Sequence, residues 1–211
     1  MIADRHRSVY VELFWIPLGA GGWFVRLNGR LYEAVQAFVG RRRPLDLYHA
    51  ALEVHVPEGR FVIENAWPIP NADGGTRGVV AEGPVGSPSL ARFRFLRYEI
   101  RRWRNGVIPD VSEAVGGPRR VTDDLEAARH VLDLTGSVPP LVWGRDELGT
   151  GEMWNSNSVV AWLLARSGIR AETLQPPTGG RAPGWRAGIL AARGVVPATA
   201  VAGTAGIGRW P

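Results

Sequence analysis

The chain has no cysteine. That excludes disulfides, thiolate metal centres and a cysteine nucleophile. It needs no such staples: a chain of 211 residues buries roughly 70% of its unfolded surface on folding. Lysine is absent too. All 25 basic residues are arginine, and the formal charge is +5. Arginine forks match phosphate oxygens. A GC-rich genome also favours arginine, alanine, glycine and proline, and net charge speaks to solubility before it speaks to a site. No apolar run reaches the ~20 residues that span a bilayer. The apolar stretch 10–18 holds Glu12 and runs into Gly19-Ala20-Gly21-Gly22, which reads as strand and turn rather than a secretory leader. The expectation is a soluble, cytoplasmic chain with no membrane span.

Periodicity divides the chain into strands and helices. Residues 8–16, rich in Val, Tyr, Phe and Trp, predict a strand. Residues 23–39 place Phe24, Leu27, Leu31, Ala34, Val35 and Phe38 at helical spacing. Residues 47–56 alternate, with Leu47, His49, Ala51, Glu53 and His55 on one face and Tyr48, Ala50, Leu52, Val54 and Val56 on the other. A turn at 57–60 and a strand at 61–66 complete a hairpin. A loop at 68–78 and a short strand at 79–83 follow. Residues 92–103 alternate Arg with Phe, Tyr and Trp, which predicts a strand with its aromatic rings in the core and its arginines in solvent. Nucleic acid, which aromatic residues beside arginines can bind by stacking, is therefore not an expected partner. Asp123 with Glu126 predicts a capped helix start, and residues 157–167 predict a second helix. After Ile169 periodicity fades. The expected organisation is an α+β domain at 1–172, an antiparallel sheet packed against helices, with a Gly/Pro/Ala/Arg-rich extension at 173–211.

Two segments carry residue types suited to chemistry. In Trp154-Asn155-Ser156-Asn157-Ser158, small polar residues open an apolar helix. One cap explains one such residue; a helix N-terminus also favours developing negative charge. The second segment is Tyr48-His49 on the strand. A strand histidine paired with a hydroxyl-bearing helix start makes a base and nucleophile. Glu64, on the neighbouring strand, is the first choice to orient the imidazole, with Glu53 and Asn65 as alternatives. His49 and His55 would stand roughly 20 Å apart along a strand, so no metal site and no cofactor are expected. His130 falls on a polar helix face.

This layout resembles the circularly permuted NlpC-like, papain-fold superfamily, of which the lecithin:retinol acyltransferase-like proteins are one branch. In that group a strand histidine is followed by an Asn-Cys-Asn segment opening a late helix. His49 matches the base, and Asn155-Ser156-Asn157-Ser158-Val159 matches the nucleophile segment, with Ser156 where cysteine is expected. Residues 154–168 also look like a bacterial group with Asn-Ser-Asn-(Ser/Thr) at this place. The resemblance implies a papain-like hydrolase or acyl transferase acting on an amide or ester. Ser156 would attack, His49 would accept its proton and Glu64 would orient the ring. Trp154, Asn155, Asn157, Ser158 and Tyr48 would bind a small-molecule, peptide or lipid substrate. A serine needs an adjacent base and oxyanion donors where a thiolate does not, so the alternative is a non-catalytic member that binds a ligand or protein in the same cleft.

Overall fold

The computed structural model describes residues 9–18, 41, 43–66, 78–108 and 110–195. The helix expected at 23–39 lies outside these residues, as does most of the loop expected at 68–78. The fold is α+β. Strands β1 (Tyr10–Pro17), β2 (Asp46–Val56), β3 (Gly59–Ala66), β4 (Val79–Pro84), β5 (Arg97–Arg104) and β6 (Arg119–Thr122) form one sheet in the order β4-β5-β3-β2-β1-β6. All these neighbours are antiparallel. The short strand β7 (Gly180–Arg181) adds to β2 in parallel. Three helices are described: α1 (Leu125–Asp133), α2 (Ser156–Arg166) and α3 (Trp185–Ala192).

Alternation along the strands decides which side chains meet the helices. Val11, Leu13 and Trp15 of β1 and Tyr48, Ala50, Leu52, Val54 and Val56 of β2 join the larger core cluster, to which all three helices contribute buried apolar residues. The opposite face carries a smaller cluster of Phe14, Ile16, Ala51, Val62 and Ile108. The hairpin joining β2 to β3 turns at Pro57 and Glu58, with Val56 opposite Gly59.

Four expectations need correction. First, α1 is capped by Asp124, not Asp123: the Asp124 carboxylate accepts the Ala127 N–H at 2.7 Å. The frame thus moves by one residue and leaves Glu126 in the first turn, where its charge faces the positive helix end without closing a capping box. Second, α2 starts at Ser156 rather than Asn157, with Asn155 as its cap. Third, the strand expected from 92 begins only at Arg97. Before it, the chain makes two 3-10 turns, Pro88–Arg92 and Arg94–Leu96. Pro88 opens the first, where its fixed φ and missing donor suit a helical start. Fourth, residues 173–195 are no appendage. β7 joins the sheet, and Trp185 of α3 lies buried against Trp15, ring centroids 4.9 Å apart. Gly188 lets α3 approach α2 closely, since a Cβ there would stand 2.1 Å from the Ser158 carbonyl oxygen.

The sheet is split where α2 meets it. β2 pairs with β3 from Leu52 to Val56 only, whereas β1 follows β2 down to Tyr48. The backbone of Tyr48 and Ala50 therefore faces a gap on the β3 side. Asn157 fills it. Its side-chain oxygen accepts the Ala50 N–H at 2.8 Å, and its nitrogen donates to the carbonyls of Tyr48 and Pro183, each at 2.9 Å. The amide thus stands in for a ladder strand at a buried place; Asn157 is only 3% exposed. Asn157→Leu keeps the volume but strips the Ala50 N–H and the Tyr48 carbonyl of their partner, while the Pro183 carbonyl keeps the Asn155 donor. Because each orphaned group costs about 1–3 kcal/mol, the expected loss is about 2 kcal/mol or more in urea unfolding. Asn157→Asp, which sets a carboxylate against two carbonyl oxygens, should lose at least as much. A change within 0.5 kcal/mol, roughly the range of ordinary surface substitutions, would contradict this role.

Candidate functional site at the start of the buried helix

The polar residues that open α2 have divided duties. The Asn155 carboxamide oxygen accepts the N–H groups of Asn157 (2.9 Å) and Ser158 (3.4 Å), and its nitrogen donates to the Pro183 carbonyl at 2.9 Å. The Ser158 hydroxyl accepts the Asn155 N–H at 3.1 Å, completing a capping box, and donates to the Gly184 carbonyl at 2.8 Å. Gly184 has φ +87°, and a Cβ there would stand 2.5 Å from the Asn155 side-chain oxygen. Only glycine suits both demands. Asn157 holds the sheet. Asn155, Asn157 and Ser158 thus spend their donors on the protein itself rather than offering them to a substrate.

Ser156 is the exception. It is half-exposed. Among the described residues, neither its hydroxyl nor its backbone N–H has a hydrogen-bond partner. Of the first four N–H groups of α2, Asn155 takes those of Asn157 and Ser158 through its side chain and that of Val159 through its carbonyl. The Ser156 N–H is the one left over, at the positive end of an 11-residue helix.

His49 lies on β2 between Tyr48 and Ala50, the two residues that Asn157 grips. The first turn of α2 is therefore tied to the backbone on both sides of His49. By alternation its ring shares the sheet face of Ala51, in the smaller cluster, while the body of α2 packs on the other face. No hydrogen bond joins His49 to Ser156 among the described residues. Burial lowers the His49 pKa from its ordinary 6.5, and the charge of Asp110 partly offsets that. The ring is thus neutral near pH 7, the form that can accept a proton.

The other expected residues are placed as follows. Glu64 is buried and pairs across the strands with Arg101 at 3.4 Å; Arg101 also holds Glu99 through two bonds to one oxygen, at 2.6 and 3.1 Å. Glu53 is bonded to His55 and Arg60, each at 2.6 Å. Both carboxylates thus have partners other than His49. Both amide atoms of Asn65 are buried without a partner among the described residues. By register it shares the face of Ile63 rather than that of His49. Trp154 and Tyr48 belong to the larger core, with the Trp154 N–H donating to the Tyr98 hydroxyl at 3.2 Å. The acidic group whose charge reaches His49 is Asp110, which no motif in the sequence marks. It sits in a left-handed turn (φ 57°) before the 3-10 turn Val111–Glu113, a conformation asparagine and aspartate adopt more readily than most residues.

A cavity of about 340 Å³ lies along α3, lined in part by Glu152, Arg181, Ala182, Trp185, Arg186 and Ile189. Glu152 accepts the Arg186 N–H at 3.1 Å, which neutralises the start of α3. Ala182 neighbours the Pro183 carbonyl that holds Asn155 and Asn157, so the cavity adjoins the supports of the α2 start. Comparison with protein-family models, curated proteins and solved structures gives no match. Among the described residues no helix is long and apolar enough to cross a membrane.

The lowered pKa of His49 sets a pH dependence. The unfolded chain binds a proton at this histidine near pH 6.5, while the folded chain resists it until lower pH. The folded state thus loses stability as pH falls through the unfolded value. Removing the imidazole by His49→Gln should flatten this loss. Urea midpoints of the two proteins, compared between about pH 7 and pH 5, should converge toward the acid end, or the variant should become the more stable. Parallel profiles would show that burial does not hold this ring neutral.

Proposed function

We propose that the protein is a hydrolase or acyl transferase acting on an amide or ester, with Ser156 as nucleophile and His49 as the base that accepts its proton. One observation carries this reading. Among four polar residues at the start of α2, three are consumed by structure, and Ser156 alone has neither its hydroxyl nor its backbone N–H bonded among the described residues. A hydroxyl beside an unpaired N–H at a helix N-terminus is the pairing that acyl transfer needs: an attacking oxygen and a donor for the oxyanion that follows. The Asn157 tether, which joins that helix turn to the strand of His49, supports the pairing with a base. Burial supports the base being neutral. Asp110 replaces Glu64 as the group proposed to steady the imidazolium that forms. The cavity beside α3 offers room for part of the substrate. These features accord with the resemblance to the permuted papain-like enzymes.

The second reading is a catalytically inactive member of the same fold that binds a ligand or protein. It is favoured by the face on which His49 lies and by the absence of a hydrogen bond between His49 and Ser156 among the described residues.

Two measurements separate the readings. A fluorophosphonate probe, read by intact mass and peptide mapping, should label Ser156 in the wild type and fail in Ser156→Ala and His49→Ala. The acid limb of labelling should fall below pH 6.5, because the His49 pKa is lowered. In addition, Ser156→Cys introduces the sole thiol of a cysteine-free chain. Its alkylation by iodoacetamide should report a thiol pKa below the ordinary value of about 8.5, and His49→Ala should raise it. An unlabelled serine together with a thiol of ordinary pKa would establish that this helix start activates nothing, and the binding reading would replace the enzymatic one.

A further inference from the structure

Of the aromatic rings expected in the core from residues 92–103, Tyr98 is buried, but Phe93 and Phe95 are exposed. Arg92, Phe93, Arg94 and Phe95 are four consecutive exposed residues. Phe95 is 69% exposed, the highest value among the large apolar side chains described, and Phe93 is 41% exposed. The two rings stand side by side, centroids 5.7 Å apart, and the Arg92 guanidinium lies over the Phe93 ring at 4.7 Å. From residue 83 to residue 98 there is no acidic side chain. We infer that this turn is a wedge that docks the protein on an anionic lipid surface, the two phenylalanines entering the acyl boundary and the two arginines meeting the headgroup anions.

Three features select this occupant. Charge is the first. Arg92 has no carboxylate partner among the described residues, and Arg94, 74% exposed in its side chain, stands 3.8 Å from a Glu99 oxygen whose carboxylate is already committed to Arg101. Exposed cations next to exposed apolar rings match a surface that is anionic outside and apolar beneath. The second is the backbone. The N–H groups of Leu90, Phe93 and Leu96 bond to the carbonyls of Ser87, Leu90 and Phe93, and Val85 closes the loop by donating to Leu96. These four bonded donors enter a poorly hydrated zone without being orphaned. The third is the lack of devices for other ligands. A base sandwiched between two rings needs about two stacking distances, roughly 7 Å, and these rings leave 5.7 Å. The hydroxyls at the base of the turn, Ser87 and Ser89, are bonded to each other. Arg97 braces the turn from below, bonded to the Ala91 carbonyl and to Glu82.

The test is cosedimentation of the full chain with vesicles of phosphatidylcholine, with and without phosphatidylserine. Binding should require phosphatidylserine and weaken with salt. Phe93→Ser with Phe95→Ser, and separately Arg92→Gln with Arg94→Gln, should each lower partitioning by about tenfold or more. All four side chains are exposed, so urea midpoints of both variants should match the wild type; these confirm that folding is intact. Absence of binding to phosphatidylserine vesicles overturns the inference. So does binding indifferent to the phenylalanine pair, which would be charge attraction alone. Retention of single-stranded oligothymidylate in place of vesicles would assign the turn to nucleic acid. A dimer in sedimentation velocity that the phenylalanine substitutions dissociate would assign it to a second copy of the chain.

Discussion

The carboxamide of Asn157 is the interaction on which the arrangement depends. A sheet whose strands diverge exposes backbone groups that must find partners, and in a core they cannot find water. Here the gap between β2 and β3 is closed by one side chain that both accepts and donates, as a strand would. Its second donor reaches the Pro183 carbonyl, so the same amide also fixes the approach to α3. Three elements distant in sequence meet at one group. An aliphatic residue would close the space but leave the backbone unpaired. An acid would offer oxygen to oxygen. The chemistry of the gap therefore specifies an amide.

That constraint explains why a run of small polar residues stands before an apolar helix. Three of its residues, Asn155, Asn157 and Ser158, have separate structural uses. Asn155 ends the helix ladder, Ser158 closes the capping box and binds Gly184, and Gly184 must be glycine to allow the approach. Helix α2 itself is apolar nearly all round, with eight of its eleven residues buried, as expected of a helix held between a sheet and a neighbouring helix. Once these demands are met, Ser156 is conspicuous because, among the described residues, its hydroxyl and its backbone N–H have no hydrogen-bond partner. A helix start capped on three residues, and open at the fourth among the described residues, leaves one N–H at the positive helix end without a partner there.

Alternation made much of the sheet legible. The two faces of β2 were readable from residues 47–56, and the hairpin from the polar turn that follows, because period-two patterning is a direct consequence of strand geometry. The same rule failed at residues 92–96. Arg-Phe-Arg-Phe has the period of a strand, but period does not state whether the chain is extended, and Pro88 with the closing Val85–Leu96 bond bends it into 3-10 turns. Residues 173–195 were illegible for the opposite reason. Their glycines and prolines look like a linker, yet Gly184 and Gly188 are present because side chains would collide with α2. Sparse periodicity there records close packing rather than the lack of it.

The site was legible in part, and the division follows from range. Capping is local, so a helix start at 155–158 could be read from four residues. The assignment of Asn157 to the sheet is not local, since its partner Ala50 lies 107 positions away. Nor are the electrostatics. Glu64 looked suited to His49 because it stands on the next strand, but Arg101 on the strand beyond lies opposite it and pairs with it. A carboxylate beside an arginine in a poorly solvated sheet face is held by that stronger, nearer charge. Asp110 reaches His49 from a loop that no pattern singles out. Charges act through space, while motifs are read along the chain. The nucleophile candidate could thus be found from sequence, whereas the group that acts on its prospective base could be found only from the fold.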